Sequence, residues 1–171
     1  MTHRAAVLTV SDLGARGERE DTAGPAVASM LAGAGFEVAD RSLLPDDPDQ
    51  IEECLIRYSE EDYDLVLTVG GTGLSSRDRT PEATLRVIDL RVPGMEEAMR
   101  AASTAVVPTA MLSRAVVGVR GRTLIVNLPG SERAARENLE VVLPVLGHAC
   151  DQLAGEASEV AAVHEQLKED S

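Results

Sequence analysis

The chain is poor in aromatic residues and in lysine. It contains no tryptophan, one phenylalanine and two tyrosines, and Lys168 is the single lysine among sixteen basic residues. Stacking on single-stranded nucleic acid needs aromatic faces, and binding to nucleic-acid phosphates needs an excess of basic residues. The formal net charge is instead -13. The composition therefore argues against a protein that binds nucleic acid or an anionic membrane surface.

Long apolar runs and a leader pattern are also missing. No stretch approaches the roughly 20 apolar residues that a membrane span requires, and the apolar run after Arg4 lacks a small-residue cleavage site. We therefore expect a cytoplasmic protein with no membrane contact. The only cysteines, Cys54 and Cys150, fall in predicted helices, where we expect reduced thiols packed as small hydrophobic groups.

Apolar runs and helical patterns alternate along the chain. Strand patterns at residues 5–10, 36–44 and 65–69 are each followed by a segment with helical spacing. Two further strands, 116–119 and 123–128, are expected to pair as a hairpin, so that one of them runs against the sheet. This order predicts an α/β fold, a three-layer αβα domain with a mainly parallel sheet and one antiparallel strand.

Capping residues mark two of the predicted helices. Thr80 and Pro81 are expected to cap and begin a helix that runs through Leu90. Ser131 is expected to cap a long helix, which Pro144 should kink or restart.

The domain boundary follows from length and composition. A chain of 171 residues is long enough for one domain with its own core. The composition shifts to alanine and glutamate after residue 151. We predict one domain over residues 1–153 and an acidic C-terminal helix or tail over residues 154–171.

Polar residues follow the predicted strands at their carboxyl ends, where ligands bind in open parallel sheets. The third strand leads into a glycine loop, residues 70–78, which begins Gly-Gly-Thr-Gly and precedes a helix. Exposed N–H groups and a helix N terminus attract anions, above all phosphate. The alternative is a tight turn that needs glycine for its conformation alone. The strand-end residues are Ser11 and Asp12, Asp46 and Asp47, Gly70 to Asp78, and Asn127 to Ser131.

Named nucleotide motifs do not match the glycine loop. It has no lysine of the Walker type and lacks the third glycine of the dinucleotide fingerprint. Asp78 lies between Arg77 and Arg79, so its carboxylate could hold Mg²⁺ while the guanidinium groups meet phosphate oxygens. Asp46 falls at the mouth of the same crevice, where paired carboxylates would let one ion bridge the phosphates of a nucleotide. The alternatives are an exposed charge for Asp78 and a plain turn for Asp46.

One segment has the opposite charge to the rest. Residues 113–136 hold five arginines against a single acid. A basic segment inside an acidic chain indicates a local anion site near the last strand, although part of it could be ordinary helix surface.

Several blocks in the same order resemble the molybdenum cofactor biosynthesis proteins of the MogA/MoaB type, the molybdopterin adenylyltransferases. The likeness covers about residues 4 to 150. Its blocks are Val10 to Asp12, Asp21 to Pro25, Gly70 to Gly73 with Arg77-Asp78, Thr80 to Thr84, Pro93 to Arg100, Leu112 to Ala115, Gly118 to Arg120 and Asn127 to Ser131.

This resemblance implies an activity. Proteins of this family use Mg-ATP to transfer AMP to the terminal phosphate of molybdopterin, releasing pyrophosphate, and they are usually homotrimers. A molybdate-inserting enzyme acts in the following step and is a candidate partner. The two acids that matter in the family fall on Asp46 and Asp78, which are expected to be catalytic and to bind the metal.

The resemblance also implies the substrate contacts. The glycine loop is expected to hold phosphates or pterin, Glu97 and Ser113 to lie at the site, and Pro129, Gly130 and Ser131 to line its other wall. The expected substrate-binding residues are Ser11, Asp12, Gly70, Gly71, Thr72, Gly73, Ser75, Arg77, Thr80, Glu97, Ser113, Pro129, Gly130 and Ser131.

Three departures from the family pattern leave alternatives open. Ser76, Arg79 and Met95 stand where proline, an aliphatic residue and phenylalanine are usual. One alternative is a paralogue that binds molybdopterin without adenylylating it and acts as a carrier or assembly partner. Another is a nucleotide phosphohydrolase that uses the same crevice. Because Asp46 and Asp78 are intact, the sequence favours the adenylyltransferase.

Overall fold

The structure is a computed structural model that describes residues 2–155. One sheet of six strands, in the order β2-β1-β3-β6-β5-β4, lies between two layers of helices. The strands are β1 (Arg4–Val10), β2 (Glu37–Leu44), β3 (Leu65–Val69), β4 (Leu90–Arg91), β5 (Val117–Arg120) and β6 (Thr123–Leu128). The helices are α1 (Asp12–Ala15), α2 (Ala23–Gly33), α3 (Pro48–Glu60), α4 (Thr80–Val87), α5 (Pro93–Thr104) and α6 (Glu132–Gly155), with a 3-10 helix at Pro108–Leu112.

Strand directions confirm the predicted fold class. Strands β1, β2, β3 and β6 pair in parallel, whereas β5 pairs antiparallel with both β6 and β4. Thus β5 is the strand that runs against the others. Every residue of β3 is buried because helices cover both faces of the sheet, whereas β2, at one edge, has no fully buried residue.

The core is divided by the sheet into two clusters. On one face α2, α5 and α6 pack with residues such as Leu31, Met99 and Leu139. On the other face α3 and α4 pack with residues such as Leu55 and Val87. Burial of each large aliphatic side chain stabilises the fold by roughly 1.5–3 kcal/mol relative to exposure.

The two cysteines belong to this core, as predicted. Cys54 and Cys150 are both buried free thiols. Burial raises the pKa of the Cys150 thiol to about 12, so it remains protonated at neutral pH.

Two helix predictions were wrong in part. The helix that begins at Thr80 ends at Val87 rather than Leu90, and Leu90–Arg91 instead forms β4, a two-residue edge strand. Both residues of β4 are exposed, so the sequence has no alternation of apolar and polar residues that would predict this strand. Thr80 is the first residue of α4 rather than its cap, and the N-cap position is taken by Arg79, whose side chain makes no capping hydrogen bond.

The long last helix begins as predicted but does not restart. Ser131 caps α6, since its hydroxyl oxygen accepts a hydrogen bond from the Ala134 N–H at 3.2 Å. Pro144 lies inside α6, which continues to Gly155 and so passes residue 153, the predicted end of the domain. Residues 156–171, most of the predicted tail, lie outside the described residues. No helix within residues 2–155 is long and apolar enough to cross a membrane.

The carboxyl ends of β1, β2, β3 and β6 lie on the same side of the sheet. Gly70 donates its N–H to the Leu128 carbonyl at 3.0 Å, and Ser11 donates its N–H to the Leu44 carbonyl at 2.9 Å. A Cβ atom placed on Gly130 would lie 3.4 Å from the Gly70 Cα. The strand register therefore brings together polar segments that are far apart in the sequence.

Candidate functional site

The glycine loop has a backbone that only glycine adopts without strain at its start. Gly70 and Gly71 have φ angles of 106° and 70°. A Cβ on Gly70 would lie 2.3 Å from the Val10 carbonyl oxygen, and a Cβ on Gly71 would lie 2.3 Å from the Thr80 Oγ1. Side chains are therefore excluded here by close contacts as well as by conformation.

Four consecutive N–H groups of this loop are free. The amides of residues 71–74 donate to no acceptor within residues 2–155. The loop lies beside the N terminus of α6, whose first turn adds further N–H groups and the positive end of a helix dipole. Such an arrangement favours an anion, as the sequence indicated.

An acidic cavity of about 670 Å³ opens on one side of the glycine loop. It brings together strand-end residues from four segments of the chain. Of the predicted site residues, it is lined by Ser11, Asp12, Asp46, Gly70, Gly71, Ser75, Arg77, Asp78, Gly130 and Ser131.

Reciprocal hydrogen bonds fix two of the acids in this cavity. The Asp12 N–H donates to Asp46 Oδ2 at 2.9 Å, and the Asp46 N–H donates to Asp12 Oδ1 at 3.0 Å. Arg77 reaches across from the glycine loop and donates from Nε and Nη2 to both Asp12 oxygens, at 2.8 and 3.0 Å. Asp12 thus joins three parts of the chain: the segment after β1, the segment after β2 and the glycine loop.

The pKa values of two carboxylates in the acidic cavity are shifted in opposite directions. Hydrogen bonds from Arg77 and from the Asp46 backbone lower the pKa of Asp12 to about 2. Asp46 is only 9% exposed, and its desolvation raises its pKa, as do the neighbouring charges of Asp12 and Asp78. A cation beside Asp46 would relieve this repulsion.

The acids fit a metal ion that arrives with its ligand. Residues 2–155 contain no group of three or more His, Cys, Asp or Glu side chains arranged to hold a metal by themselves. Mg²⁺ commonly uses one or two carboxylates and completes its octahedron with phosphate oxygens and water. Asp46 and Asp78, which line the same cavity, can supply the two carboxylates. The donor set is therefore suited to Mg²⁺ bound to a polyphosphate.

An apolar cavity of about 410 Å³ lies on the other side of the glycine loop. It is formed by α5, the 3-10 helix and α6, and Ser131 lines both cavities. Of the predicted residues, it is lined by Thr72, Gly73, Ser113, Pro129 and Ser131. Lining residues not predicted from the sequence include Arg100, Val107, Leu112, Arg133 and Asn138.

Glu97 and Thr80 line neither cavity. Glu97 is exposed on α5, whereas its neighbour Glu96 is 2% exposed and pairs with Arg91 and Arg100. Glu96 lies three residues before the buried Met99, so helical periodicity was the signal for its burial. Thr80 is fully buried beneath Gly71, and within residues 2–155 its hydroxyl has no hydrogen-bond partner.

Two strand-end residues have structural roles. Asp47 caps α3 by accepting hydrogen bonds from the N–H groups of Asp49 and Gln50. Asn127 is fully buried and donates to the hydroxyl oxygens of Thr68 and Thr84 at 2.9 and 3.0 Å. A position at or just after the end of a strand therefore does not by itself place a residue in the site, since Asn127 lies within β6 and Asp47 follows β2.

A mainly parallel α/β sheet with a glycine loop at the carboxyl ends of its strands is typical of domains that bind nucleotides or other phosphates. The family described as "Probable molybdopterin binding domain" matches residues 6–148, and the chain belongs to this family. It is 42% identical over 151 residues to a molybdopterin adenylyltransferase of Escherichia coli K12, covering 86% of this chain and 77% of that protein. It is 40% identical over 157 residues to the Helicobacter pylori J99 protein of the same name, covering 90% and 89%.

A solved structure gives the same fold. The molybdopterin biosynthesis enzyme MoaB of Thermus thermophilus superimposes with a TM-score of 0.86 at 54% identity, covering 90% of this chain and 98% of that one. The resemblance inferred from the motif blocks and the predicted three-layer fold are both confirmed.

Proposed function

We propose that this protein is a molybdopterin adenylyltransferase that uses Mg-ATP, transfers AMP to the terminal phosphate of molybdopterin and releases pyrophosphate. The observation that carries the proposal is that two cavities of different character share one glycine loop. A reaction that joins two phosphate-bearing molecules needs two such compartments with a common phosphate position. The names of the bacterial relatives support the same activity and disfavour a binding-only carrier.

The chemistry requires no covalent enzyme intermediate. A phosphate oxygen of molybdopterin attacks the α-phosphorus of ATP, and the bond from that phosphorus to the bridging oxygen of the β-phosphate breaks. Pyrophosphate leaves with the bonding electron pair. The enzyme must therefore hold two anions in line and offset their charge. The free N–H groups of residues 71–74 and the N terminus of α6 are suited to both tasks.

We assign the triphosphate of ATP to the acidic cavity. Asp46 and Asp78 would hold Mg²⁺, which when bound offsets the charge on the departing pyrophosphate. Asp12, ionised and engaged by Arg77, keeps the strand ends and the glycine loop in register. Arg77 is more than half exposed, so its guanidinium is also within reach of a ligand in the cavity mouth.

We assign the pterin of molybdopterin to the apolar cavity. Val107, Leu112 and Pro129 offer apolar surface for a flat ring system, and the hydroxyl of Ser113 and the side-chain oxygen of Asn138 offer polar contacts at its edge. Thr72 and Gly73 place the glycine loop at the boundary of this cavity. The terminal phosphate of the pterin would then lie at the loop.

We further propose a cytoplasmic homotrimer that passes its product to a molybdate-inserting enzyme. The resemblance of the motif blocks supports this assembly. So does an uncharged segment at residues 101–112, where Val106, Val107, Met111 and Leu112 are 62%, 47%, 62% and 50% exposed. Exposed apolar groups of this extent are typical of contact surfaces. Light scattering on the purified protein tests the trimer.

The decisive experiment measures pyrophosphate and adenylylated pterin from Mg-ATP with molybdopterin. We expect pterin-dependent turnover in the wild type and a loss of about 100-fold in Asp78→Asn, the scale typical of a lost electrostatic contact. Asp47→Asn is the matched control, because asparagine preserves the α3 cap and Asp47 lies outside the cavity. Molybdopterin binding without turnover would instead identify a carrier, and ATP loss without pterin a phosphohydrolase.

A further inference from the structure

Arg114 donates hydrogen bonds to main-chain carbonyl groups of the glycine loop. It follows the 3-10 helix and precedes β5, and its side chain is 31% exposed. Its backbone N–H donates to the Thr72 carbonyl at 2.9 Å. Its Nε donates to the Gly73 carbonyl and its Nη2 to the Asp78 carbonyl, both at 2.9 Å. The remaining terminal nitrogen pairs with Glu82 on α4.

These contacts tie together the two ends of the loop. Thr72 and Gly73 lie near its start and Asp78 is its last residue. Within the loop itself, the N–H of Asp78 donates to the Ser75 carbonyl and the N–H of Ser75 donates to the Asp78 carboxylate, each at 3.0 Å. Hydrogen bonds from a guanidinium are stronger than those between neutral groups, and its planar fork fixes the direction of each. Arg114 therefore contributes a large share of the loop's order.

The pattern of donors and acceptors shows how the loop is oriented. Arg114 engages carbonyl oxygens at residues 72, 73 and 78, while the N–H groups of residues 71–74 remain free. An anion needs those N–H groups. Each of the three guanidinium nitrogens of Arg114 donates one hydrogen bond to a protein oxygen, so the loop carbonyls and Glu82 fix the position of the guanidinium.

We propose that Arg114 is a positioning residue that, supported by Glu82, holds the glycine loop so that its free N–H groups and the Asp78 carboxylate face the incoming phosphates. Its role in turnover rests on the proposed adenylyl transfer, whereas its role in loop order does not. Ser113, the preceding residue, lines the apolar cavity, so the same short segment also connects the two compartments.

Arg120 provides a matched control. Its guanidinium likewise donates to a main-chain carbonyl, that of Val87, at 2.9 Å, but it touches neither cavity. Arg120→Ala thus removes a comparable arginine-to-carbonyl contact away from the loop. We compare Arg114→Ala, Arg114→Lys and Arg120→Ala. Lysine keeps a charge for Glu82 but cannot bridge both carbonyls.

Limited trypsin digestion measures how readily the glycine loop opens, because Arg77 lies in the loop and Arg79 beside it, and both are trypsin sites. We expect cleavage after these two residues, quantified by mass spectrometry, to rise at least 10-fold in Arg114→Ala and by less in Arg114→Lys. Mg-ATP affinity, measured by calorimetry, should fall about 10-fold in Arg114→Ala. At a temperature where each variant is folded, its kcat should fall about 100-fold, the scale of a small misplacement of reacting groups.

The outcomes separate the two proposals. Arg120→Ala should leave cleavage, affinity and kcat within twofold of wild type even if its melting temperature drops. If Arg114→Ala does not fold, Arg114→Lys carries the same comparison. Wild-type cleavage and affinity in a folded Arg114 variant would overturn the positioning role, as would an opened loop with full kcat. A wild type without pterin-dependent turnover would overturn the adenylyltransferase, and cleavage and affinity would still decide whether Arg114 holds the loop.

Discussion

The two cavities beside the glycine loop are built in different ways. The acidic cavity is lined largely by segments that follow strands, and burial, together with the nearby charges of Asp12 and Asp78, raises the pKa of Asp46. The apolar cavity is lined by helices and the 3-10 segment, and Arg100, one of its lining residues, pairs with Glu96, which also pairs with Arg91 and does not line the cavity. The first is suited to a charged ligand that brings a cation, the second to a ring system.

A change in the shared loop should disable both cavities at once. Gly70→Ala would place a methyl group 2.3 Å from the Val10 carbonyl oxygen at a φ of 106°. Strain and overpacking together should lower the free energy of unfolding by about 4 kcal/mol, and turnover should fall at least 100-fold. Denaturant titration and the pyrophosphate assay measure these effects.

Gly121→Ala is the control for this prediction. Gly121 also has a positive φ, 57°, but nothing lies within 4 Å of its added Cβ. The Gly121→Ala substitution should therefore lower the free energy of unfolding by only about 1 kcal/mol, through backbone strain, and leave turnover unchanged. Equal effects in the two variants would show that the loop tolerates a side chain at Gly70.

A change confined to the acidic cavity should lower turnover without lowering the affinity for molybdopterin. Asp46→Asn removes one of the two carboxylates proposed to hold Mg²⁺, so kcat should fall about 100-fold. Because Asp46 does not line the apolar cavity, the affinity for molybdopterin, measured by fluorescence titration, should stay within twofold. A parallel loss of molybdopterin affinity would mean that the cavities are not independent.

The contrast between the cavities also explains what could be predicted from the sequence. Asp12, Asp46 and the glycine loop were found because each lies just after a predicted strand, and the parallel pairing of these strands brings such ends together. Val107 and Leu112 could not be found in this way, because their place in a cavity depends on how α5, the 3-10 helix and α6 pack.

Three further features were not predicted, for physical reasons of the same kind. Asp47 follows a strand but turns its carboxylate to the α3 N terminus, where capping satisfies free N–H groups. The strand β4 has two exposed residues and depends on pairing with β5, so only tertiary contact defines it. Arg114 donates hydrogen bonds to three loop carbonyls that lie 36 to 42 positions away in the sequence, so no local sequence pattern could predict these contacts.

A change confined to the apolar cavity should have the opposite profile to that of Asp46→Asn. Leu112→Asp places a charge on the wall proposed for the pterin, so the KM for molybdopterin should rise about 10-fold while Mg-ATP affinity stays within twofold. Leu85→Asp is the control, since Leu85 is 44% exposed on α4 and lines neither cavity. Because Leu112 is part of the uncharged segment, the mass of the assembly must be measured in the same samples. A shift in Mg-ATP affinity equal to that in KM would contradict the assignment.

The smallest effect is expected behind the apolar cavity, at Glu96. Burial opposes its ionisation, but hydrogen bonds from Arg91 and the Val117 N–H outweigh burial and lower the pKa of Glu96 below its usual 4.5. Because the folded-state pKa lies below the unfolded one, the stabilising effect is complete at neutral pH and is lost as the pH falls through the folded pKa. Glu96→Gln should therefore lower the free energy of unfolding by about 1–2 kcal/mol at pH 7.

The pH dependence distinguishes charge from packing at Glu96. The difference between wild type and Glu96→Gln should be constant from pH 6 to 8, then shrink below pH 4.5 as the wild-type carboxylate takes up its proton. Urea titrations across this range measure it. A difference that persists unchanged under acidic conditions would assign the stabilisation to the shape of the side chain rather than to its pairs with Arg91 and Arg100. Arg100 also donates to the Ser113 and Ala115 carbonyls, and both Arg100 and Ser113 line the apolar cavity. Loss of the Glu96 charge should therefore disturb the apolar cavity and leave Mg-ATP affinity unchanged.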